Sequence, residues 1–262
     1  MSELTDTQNE IDDRAIPIDR VGIKGLRFPV QVREKGGETQ RTVATAALTV
    51  DLPANLKGTH MSRFVEALHE QGGILDVKTV EDLPKDLLSR LSATRAFVEF
   101  QFPFFISKAA PISGKAGLVD YEVRFSVDVD AGGGSDFVLT VIVPVSTLCP
   151  CSKAISERGA HNQRGTITYS VRSTEPIEIE EMISIAEKSA SCELYSVLKR
   201  PDEKSVTERA YDTPVFVEDV VRNVAAFSNE DERITWYRIE VENFESIHNH
   251  SAYAVIEKSV SL

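Results

Sequence analysis

The sequence predicts an α+β fold built from two similar halves. Three observations predict it. Alternating apolar runs of strand type come in groups. Pairs of helix-spaced segments separate those groups. Each half of the chain repeats the order strands, two helices, strands, although no sequence repeat is visible by eye. Grouped antiparallel strands with paired helices between them argue for α+β over alternating βαβ units. The chain has 262 residues, of which 42% are hydrophobic. That is enough apolar side chain for a real core.

The elements follow in order. Residues 1–18 are polar and acidic and read as a flexible N-terminal arm. Val21–Val30 and Thr42–Val50 read as strands, with a turn at Lys35-Gly-Gly-Glu38. Ser62 can cap a helix that carries Val65 and Leu68 and stops at Gly72-Gly73. A second helix carries Leu83, Leu87 and Leu91. Strands return with Val98, Phe100 and Phe102 on one face. Val123, Phe125, Val127 and Val129 then alternate with polar residues. Ala131–Asp136 is a hairpin connection, and Phe137–Val145 reads as a central buried strand.

The second half repeats the rhythm. Ile167, Tyr169 and Val171 share a strand face. Ile179–Leu198 has helical spacing through Met182, Ala186, Ala190, Leu194 and Leu198. Phe216–Phe227 is another helix. Ile234–Val241 and Ser251–Val260 close as strands.

Composition excludes several classes. The count of 41 acidic against 29 basic residues leaves a net charge of −12. That argues against general nucleic-acid binding, which needs cations for the phosphates. It leaves room for one small anionic ligand in a locally basic pocket. No window approaches the roughly 20 apolar residues of a membrane span, and the N-terminus lacks an apolar stretch of signal type. Three cysteines cannot all pair internally, so a disulfide framework is not expected and a cytoplasmic setting is.

Three stretches carry chemistry. Leu148-Cys-Pro-Cys-Ser-Lys153 runs on to His161-Asn-Gln-Arg164 after the buried strand. In an extended segment Cys149 and Cys151 face the same side, so both sulfurs can meet one ligand. Thiolate and imidazole suit Zn²⁺ or a similar ion. Two cysteines at a strand end are also often small buried hydrophobes, and residue types alone leave both readings open. Phe244-Glu-Ser-Ile-His-Asn-His-Ser251 holds Glu245 and His248, an acid–base or metal-ligand pair, or else a polar hairpin. Lys57-Gly-Thr-His-Met-Ser-Arg63 precedes a helix and offers Lys57, Ser62 and Arg63 to phosphate oxygens, or else a routine cap. His69 reads as solvated. Glu218, in the first turn of the fourth helix, and Glu203, in a polar segment after the third, are open between function and surface charge.

Together these stretches resemble the prokaryotic type IB GTP cyclohydrolases. The motifs are Gly58-Thr-His-Met-Ser-Arg-Phe64, Cys149-Pro-Cys-Ser-Lys153 with Gly159-Ala-His-Asn-Gln-Arg164, Phe216-Val-Glu-Asp219, and Glu245-Ser-Ile-His-Asn-His-Ser251. The resemblance runs from about Val21 to the C-terminus. It departs at Ala154–Arg158, where the family often has an acidic residue after the lysine; those positions need only bridge Cys151 to His161.

The resemblance implies tandem tunnelling-fold modules, expected over 19–148 and 149–262. It implies a homotetramer with active sites between subunits. It implies conversion of GTP and water to 7,8-dihydroneopterin triphosphate and formate, the entry to folate and to deazaguanine tRNA modification. Residue by residue, Cys149, His161 and Glu203 correspond to a metal set for Zn²⁺, Mn²⁺ or Fe²⁺. Cys149 and Cys151 are counted as catalytic, Cys151 as a thiol close to the nucleotide. Glu218 corresponds to the guanine anchor, and Glu245 and His248 to proton-transfer groups. His60, Arg63, Lys153 and Arg164 are the candidates for the remaining substrate contacts.

Three other readings compete. One is a nitrile reductase-like enzyme of the same fold, which needs no metal. Another is a purine-nucleotide-binding protein without catalysis. The third is a Cys–His thiol hydrolase using Cys151 and His161. Only the cyclohydrolase uses every unusual stretch.

Overall fold

The computed structural model describes residues 6–260. Ten strands and six α-helices lie among them, in the α+β class. The strands are β1 (Ile18–Arg33), β2 (Thr39–Leu52), β3 (Ile74–Leu75), β4 (Arg95–Ala109), β5 (Ala116–Asp130), β6 (Ser135–Leu148), β7 (Asn162–Ser173), β8 (Cys192–Glu193), β9 (Ile234–Asn243) and β10 (Ala252–Ser259). The helices are α1 (Met61–Glu70), α2 (Asp82–Leu91), α3 (Pro150–Ile155), α4 (Ile179–Lys188), α5 (Arg200–Asp212) and α6 (Val217–Glu230). One sheet runs β10-β9-β7-β6-β5-β4-β2-β1-β3, with β8 on β6. It is mostly antiparallel; the β1–β3 contact is parallel. No described helix is long and apolar enough to cross a membrane.

Two compact units divide the described chain. The first holds the residues up to Arg33 with 37–102 and 124–138. The second holds 34–36, 103–123 and the residues from Leu139 on. The long strands β4, β5 and β6 each contribute residues to both units, so the units are not consecutive halves of the chain.

In the first unit, alternation does what a half-buried strand requires. Ala44, Ala46, Leu48 and Val50 of β2 are buried in turn. Phe64, Ala67 and Leu68 of α1 and Leu83 and Leu87 of α2 supply the helical side. Phe102, Phe125 and Phe137 stack edge to face at 5.3 and 5.5 Å between centroids. Ser62 does not cap α1. The helix starts at Met61 with His60 at its cap position and no side-chain cap bond.

The segment expected as a free arm is held where it is described. Ile11 bridges Leu56, Lys57 N–H donates to Glu10 O at 3.1 Å, and the Lys57 ammonium meets the Glu10 carboxylate at 2.6 Å. Residues 1–5 of that arm lie outside the described residues.

The second unit buries Val141, Val143 and Val145 of β6 beside Ile167, Tyr169 and Val171 of β7 and Ile239 and Val241 of β9. Met182, Ile183 and Ala186 of α4 and Val220, Val221 and Val224 of α6 are among its buried helical side chains. Tyr169 shares a hydrogen bond with Ser228 at 2.8 Å, and burial pushes its phenol up to about 12.

Two expectations for this unit change. The helix expected over Ile179–Leu198 ends at Lys188, because Cys192 and Glu193 leave helical geometry to pair with Ser146 and Val145 of β6. The polar segment around Glu203 is helix α5. It buries only Asp202 and Ala210, so it has no apolar stripe for periodicity to detect. Asp202 supports its start by accepting from Lys199 N–H at 2.8 Å.

Candidate active site

The site begins where β6 ends. Leu148 N–H donates to Ser191 Oγ at 3.0 Å, and Leu148 O accepts from Val215 N–H at 3.1 Å. The last peptide of the strand is thus held from both sides before Cys149. Cys149 is itself extended, but the chain turns helical at Pro150, so the segment is not extended through Cys151. Cys149 is the N-cap of α3, its Sγ accepting from Ser152 N–H at 3.4 Å, and Pro150 occupies the first turn, where a missing N–H costs nothing. The premise that two-residue spacing puts both sulfurs on one side therefore fails. Cys149 is half-buried in the cap, and Cys151, in the helix, is exposed.

The loop from Cys149 to His161 is closed at its neck. Cys149 N–H donates to His161 O at 3.1 Å. Ser152 Oγ donates to Cys149 O at 3.1 Å and accepts from His161 N–H at 3.2 Å. Backbone bonds of this kind fix the two ends however the loop's tip varies.

His161 meets the second polar loop. Its Nδ1 lies 3.0 Å from Gln163 Oε1, 3.2 Å from Ser246 Oγ and 4.0 Å from Glu245 Oε2. His248 Nδ1 lies 3.5 Å from the same Glu245 oxygen. Phe244 N–H donates to Arg164 O at 2.9 Å and ties this loop to β7. Glu245 Oε2 is buried and makes no hydrogen bond. A carboxylate oxygen held between two imidazoles without a bond of its own is ready to accept a proton or a ligand contact. His250 is exposed beside His248, ring centroids 5.2 Å apart.

The other expected residues are placed as follows. Glu218 is exposed in the first turn of α6, three residues past Val215 and its bond to Leu148. Lys153 donates to Tyr211 O, with its ammonium 4.3 Å from the Tyr211 ring centroid. Arg164 is exposed on β7. His60 and Arg63 belong to the first unit. There His60 Nε2 approaches Asp6 Oδ2 at 3.3 Å, and Arg63 donates to Arg90 O at 3.0 Å. His69 is exposed and meets the Phe28 ring edge-on at 5.0 Å.

Several residues of the site are not legible as functional types. Thr147, Gln163 and Asn243 occupy strand positions that alternation assigns to the core, and all three are buried. Thr147 Oγ1 and Asn243 Oδ1 have no hydrogen-bond partner. A polar residue at a core position is the signal that finds them. Gly165 is required next to Asn243, since a Cβ there would lie 2.5 Å from Asn243 Oδ1. The third cysteine, Cys192, is buried. Burial pushes its thiol up, against the Arg209 guanidinium that donates to it at 3.0 Å.

The donor types suit a divalent cation: thiol, imidazole and carboxylate. Cys149 and His161 are joined at the loop neck. Glu203 is not brought to them; it is exposed on α5 with no bond to either, and among the described residues no three His, Cys, Asp or Glu side chains are gathered to hold a metal. Of the three expected residues, Cys149 and His161 are tied to each other through backbone atoms.

Comparison with known proteins gives the family and the fold. The family described as type I GTP cyclohydrolase folE2 matches residues 4–254. A protein of Akkermansia muciniphila named GTP cyclohydrolase FolE2 is 62% identical over 262 residues, covering 99% of each chain. One of Nitrosomonas eutropha with the same name is 53% identical, covering 97% of this chain and 96% of its own. Among solved structures, a urate oxidase of Bacillus sp. TB-90 aligns with a TM-score of 0.53 at 7% identity, over 92% of this chain and all of its own. The uricase of Arthrobacter globiformis aligns at 0.50 and 8%, over 93% of both. At such identities the structural likeness shows the fold alone, and that fold is the tunnelling fold. By sequence, the chain belongs to the type I GTP cyclohydrolase folE2 family.

Proposed function

We propose that the chain is a metal-dependent GTP cyclohydrolase of type IB, converting GTP and water to 7,8-dihydroneopterin triphosphate and formate. The observation that carries the reading is the loop neck at the end of β6. It ties the backbone of Cys149 to that of His161, and one Glu245 oxygen lies between the imidazoles of His161 and His248.

The chemistry gives these residue types work to do. Water must add at C8 of guanine, a poor electrophile, and ring nitrogens must be protonated as the imidazole opens. In this reading Glu245 and His248 move those protons; the 3.5 Å approach of His248 Nδ1 to a buried Glu245 oxygen supports it. A second hydrolysis releases C8 as formate, the ribose rearranges and the ring recloses. Glu218 accepts from the guanine N1–H and 2-amino group, and an adenine, lacking the 2-amino group, leaves it unpaired. Cys151, exposed in α3, is the thiol offered to the nucleotide. Arg63, Lys153 and Arg164, with His60, are assigned to the remaining substrate contacts, the triphosphate above all. Cys149 and His161 would hold the cation, with Glu203 as the third candidate. When bound, Zn²⁺, Mn²⁺ or Fe²⁺ supplies Lewis acidity toward water near neutral pH. A cytoplasmic homotetramer with sites between subunits, serving folate or tRNA-modification chemistry, belongs to the same reading.

The test uses metal-stripped protein. GTP is added, then Mn²⁺ or Zn²⁺, and formate is followed together with pterin fluorescence after mild oxidation. Both products are expected only with metal, and Cys151→Ala is expected to abolish both. Formate without pterin would reassign the later proton-transfer residues. Absence of both with every divalent metal would sink the cyclohydrolase and favour a reductase or a binding role.

A further inference from the structure

The three oxygens around His161 Nδ1 decide where its hydrogen sits. The amide carbonyl of Gln163, at 3.0 Å, can only accept. The Glu245 carboxylate oxygen, at 4.0 Å, lies beyond hydrogen-bond reach and offers no donor that the ring nitrogen could accept from. Ser246 Oγ, at 3.2 Å, can accept as well. A ring nitrogen facing such partners carries the proton. In the neutral imidazole Nε2 then keeps its lone pair, and no described residue hydrogen-bonds to it.

Gln163 is the rigid member of the three. It lies on β7, paired with Thr147 of β6, and is 8% exposed. Ser246 and Glu245 lie in the bend that follows β9. A buried glutamine on a strand face otherwise lined by Ile167 and Tyr169 costs free energy unless its amide is used. Its carbonyl is used on His161.

We propose that Gln163 is a positioning residue. It holds His161 as the Nδ1–H tautomer and presents the Nε2 lone pair to the divalent cation. This rests on the reading of His161 as a metal ligand. An acceptor behind a ligating imidazole fixes the ring and raises its basicity, and losing one typically costs about 10–100-fold in metal affinity.

The experiment is a competition titration of the metal-stripped full chain, Zn²⁺ against a chromophoric chelator. The variants are His161→Ala, Gln163→Leu and Gln163→Glu. We expect His161→Ala to weaken binding strongly. We expect Gln163→Leu to weaken it about 10–100-fold. Gln163→Glu, which keeps an acceptor at the same reach, should stay near the wild type. If His161→Ala leaves Zn²⁺ affinity unchanged, the ligand reading fails and the proposal falls with it. If His161→Ala weakens binding and Gln163→Leu does not, the ligand reading stands and the proposal is overturned. A Gln163→Glu loss equal to that of Gln163→Leu also overturns it, since the acceptor would then be irrelevant. Should Gln163→Leu fail to fold, ¹⁵N-histidine spectra of the wild-type apoprotein at about pH 8.5, where imidazole is neutral, still decide. Hydrogen on Nδ1 of His161 is the expected result, and hydrogen on Nε2 overturns the proposal.

Discussion

Glu218, proposed above as the guanine anchor, makes no side-chain hydrogen bond or ion pair among the described residues. It is exposed in the first turn of α6, where the helix's positive end favours a carboxylate. The neighbouring Asp219, not Glu218, accepts from Phe216 N–H at 2.9 Å and supports the helix start. Glu218 is thus free to take a ligand's donors. Glu218→Gln keeps the shape and removes the charge. It should leave thermal stability nearly unchanged and raise KM for GTP about tenfold or more, since hydrogen bonds to charged groups contribute about 1.5–3 kcal/mol. Steady-state kinetics beside a melting curve checks it. A fall in kcat with unchanged KM would move Glu218 from anchoring to chemistry. His161 stands out as one of five histidines, whereas Gln163 does not stand out by residue type. Its role depends on an atom pair that only the folded loop brings to 3.0 Å.

At the scale of elements, the end of β6 is the working edge. Leu148 is held by Ser191, from the turn before β8, and by Val215, from the turn before α6. Asn223 of α6 donates in turn to Ser189 O at 3.1 Å. The segment that offers Cys149 and the helix that offers Glu218 are therefore linked through two short stretches of backbone. Ser191→Ala strands a buried Leu148 N–H, and such a group costs about 1–3 kcal/mol. We expect a lower Tm by circular dichroism and a larger fall in kcat than in substrate affinity. Wild-type kcat in a destabilised Ser191→Ala protein would show that this bond serves stability alone. Strand periodicity reveals β4 to β7 because each buries alternate residues. It cannot reveal α5, whose buried set is Asp202 and Ala210, or the early end of α4, which is decided by pairing of Cys192 and Glu193 with β6.

For the molecule as a whole, carboxylates set the acid limit of stability. Asp51 accepts from the backbone N–H groups of Thr94 and Arg95 at 2.8 and 2.7 Å and from the Thr94 hydroxyl. Burial alone would raise its pKa, but these bonds hold it below the usual carboxylate range. A depressed folded pKa gives stability that is present above the unfolded value, about 3.9, and is lost as pH falls through the folded one. Asp51→Ala should therefore lower Tm at neutral pH, and the gap from the wild type should narrow below about pH 4. Thermal melts across that range check it; a gap that widens on acidification would contradict the assignment.

What the sequence by itself determined was the α+β class, the strands whose buried faces alternate, and the family. The first two depend on composition and on periods of two and 3.6 residues, which are local, and the family on short motifs of consecutive residues. The tertiary structure decided that Cys149 caps a helix and that α5 exists without an apolar stripe. It also decided that Gln163, Ser246 and Glu245 surround one nitrogen of His161. Ser246 and His161 stand 85 residues apart. Their meeting depends on the register of β7 against β9, and register is settled by which faces the whole sheet must bury.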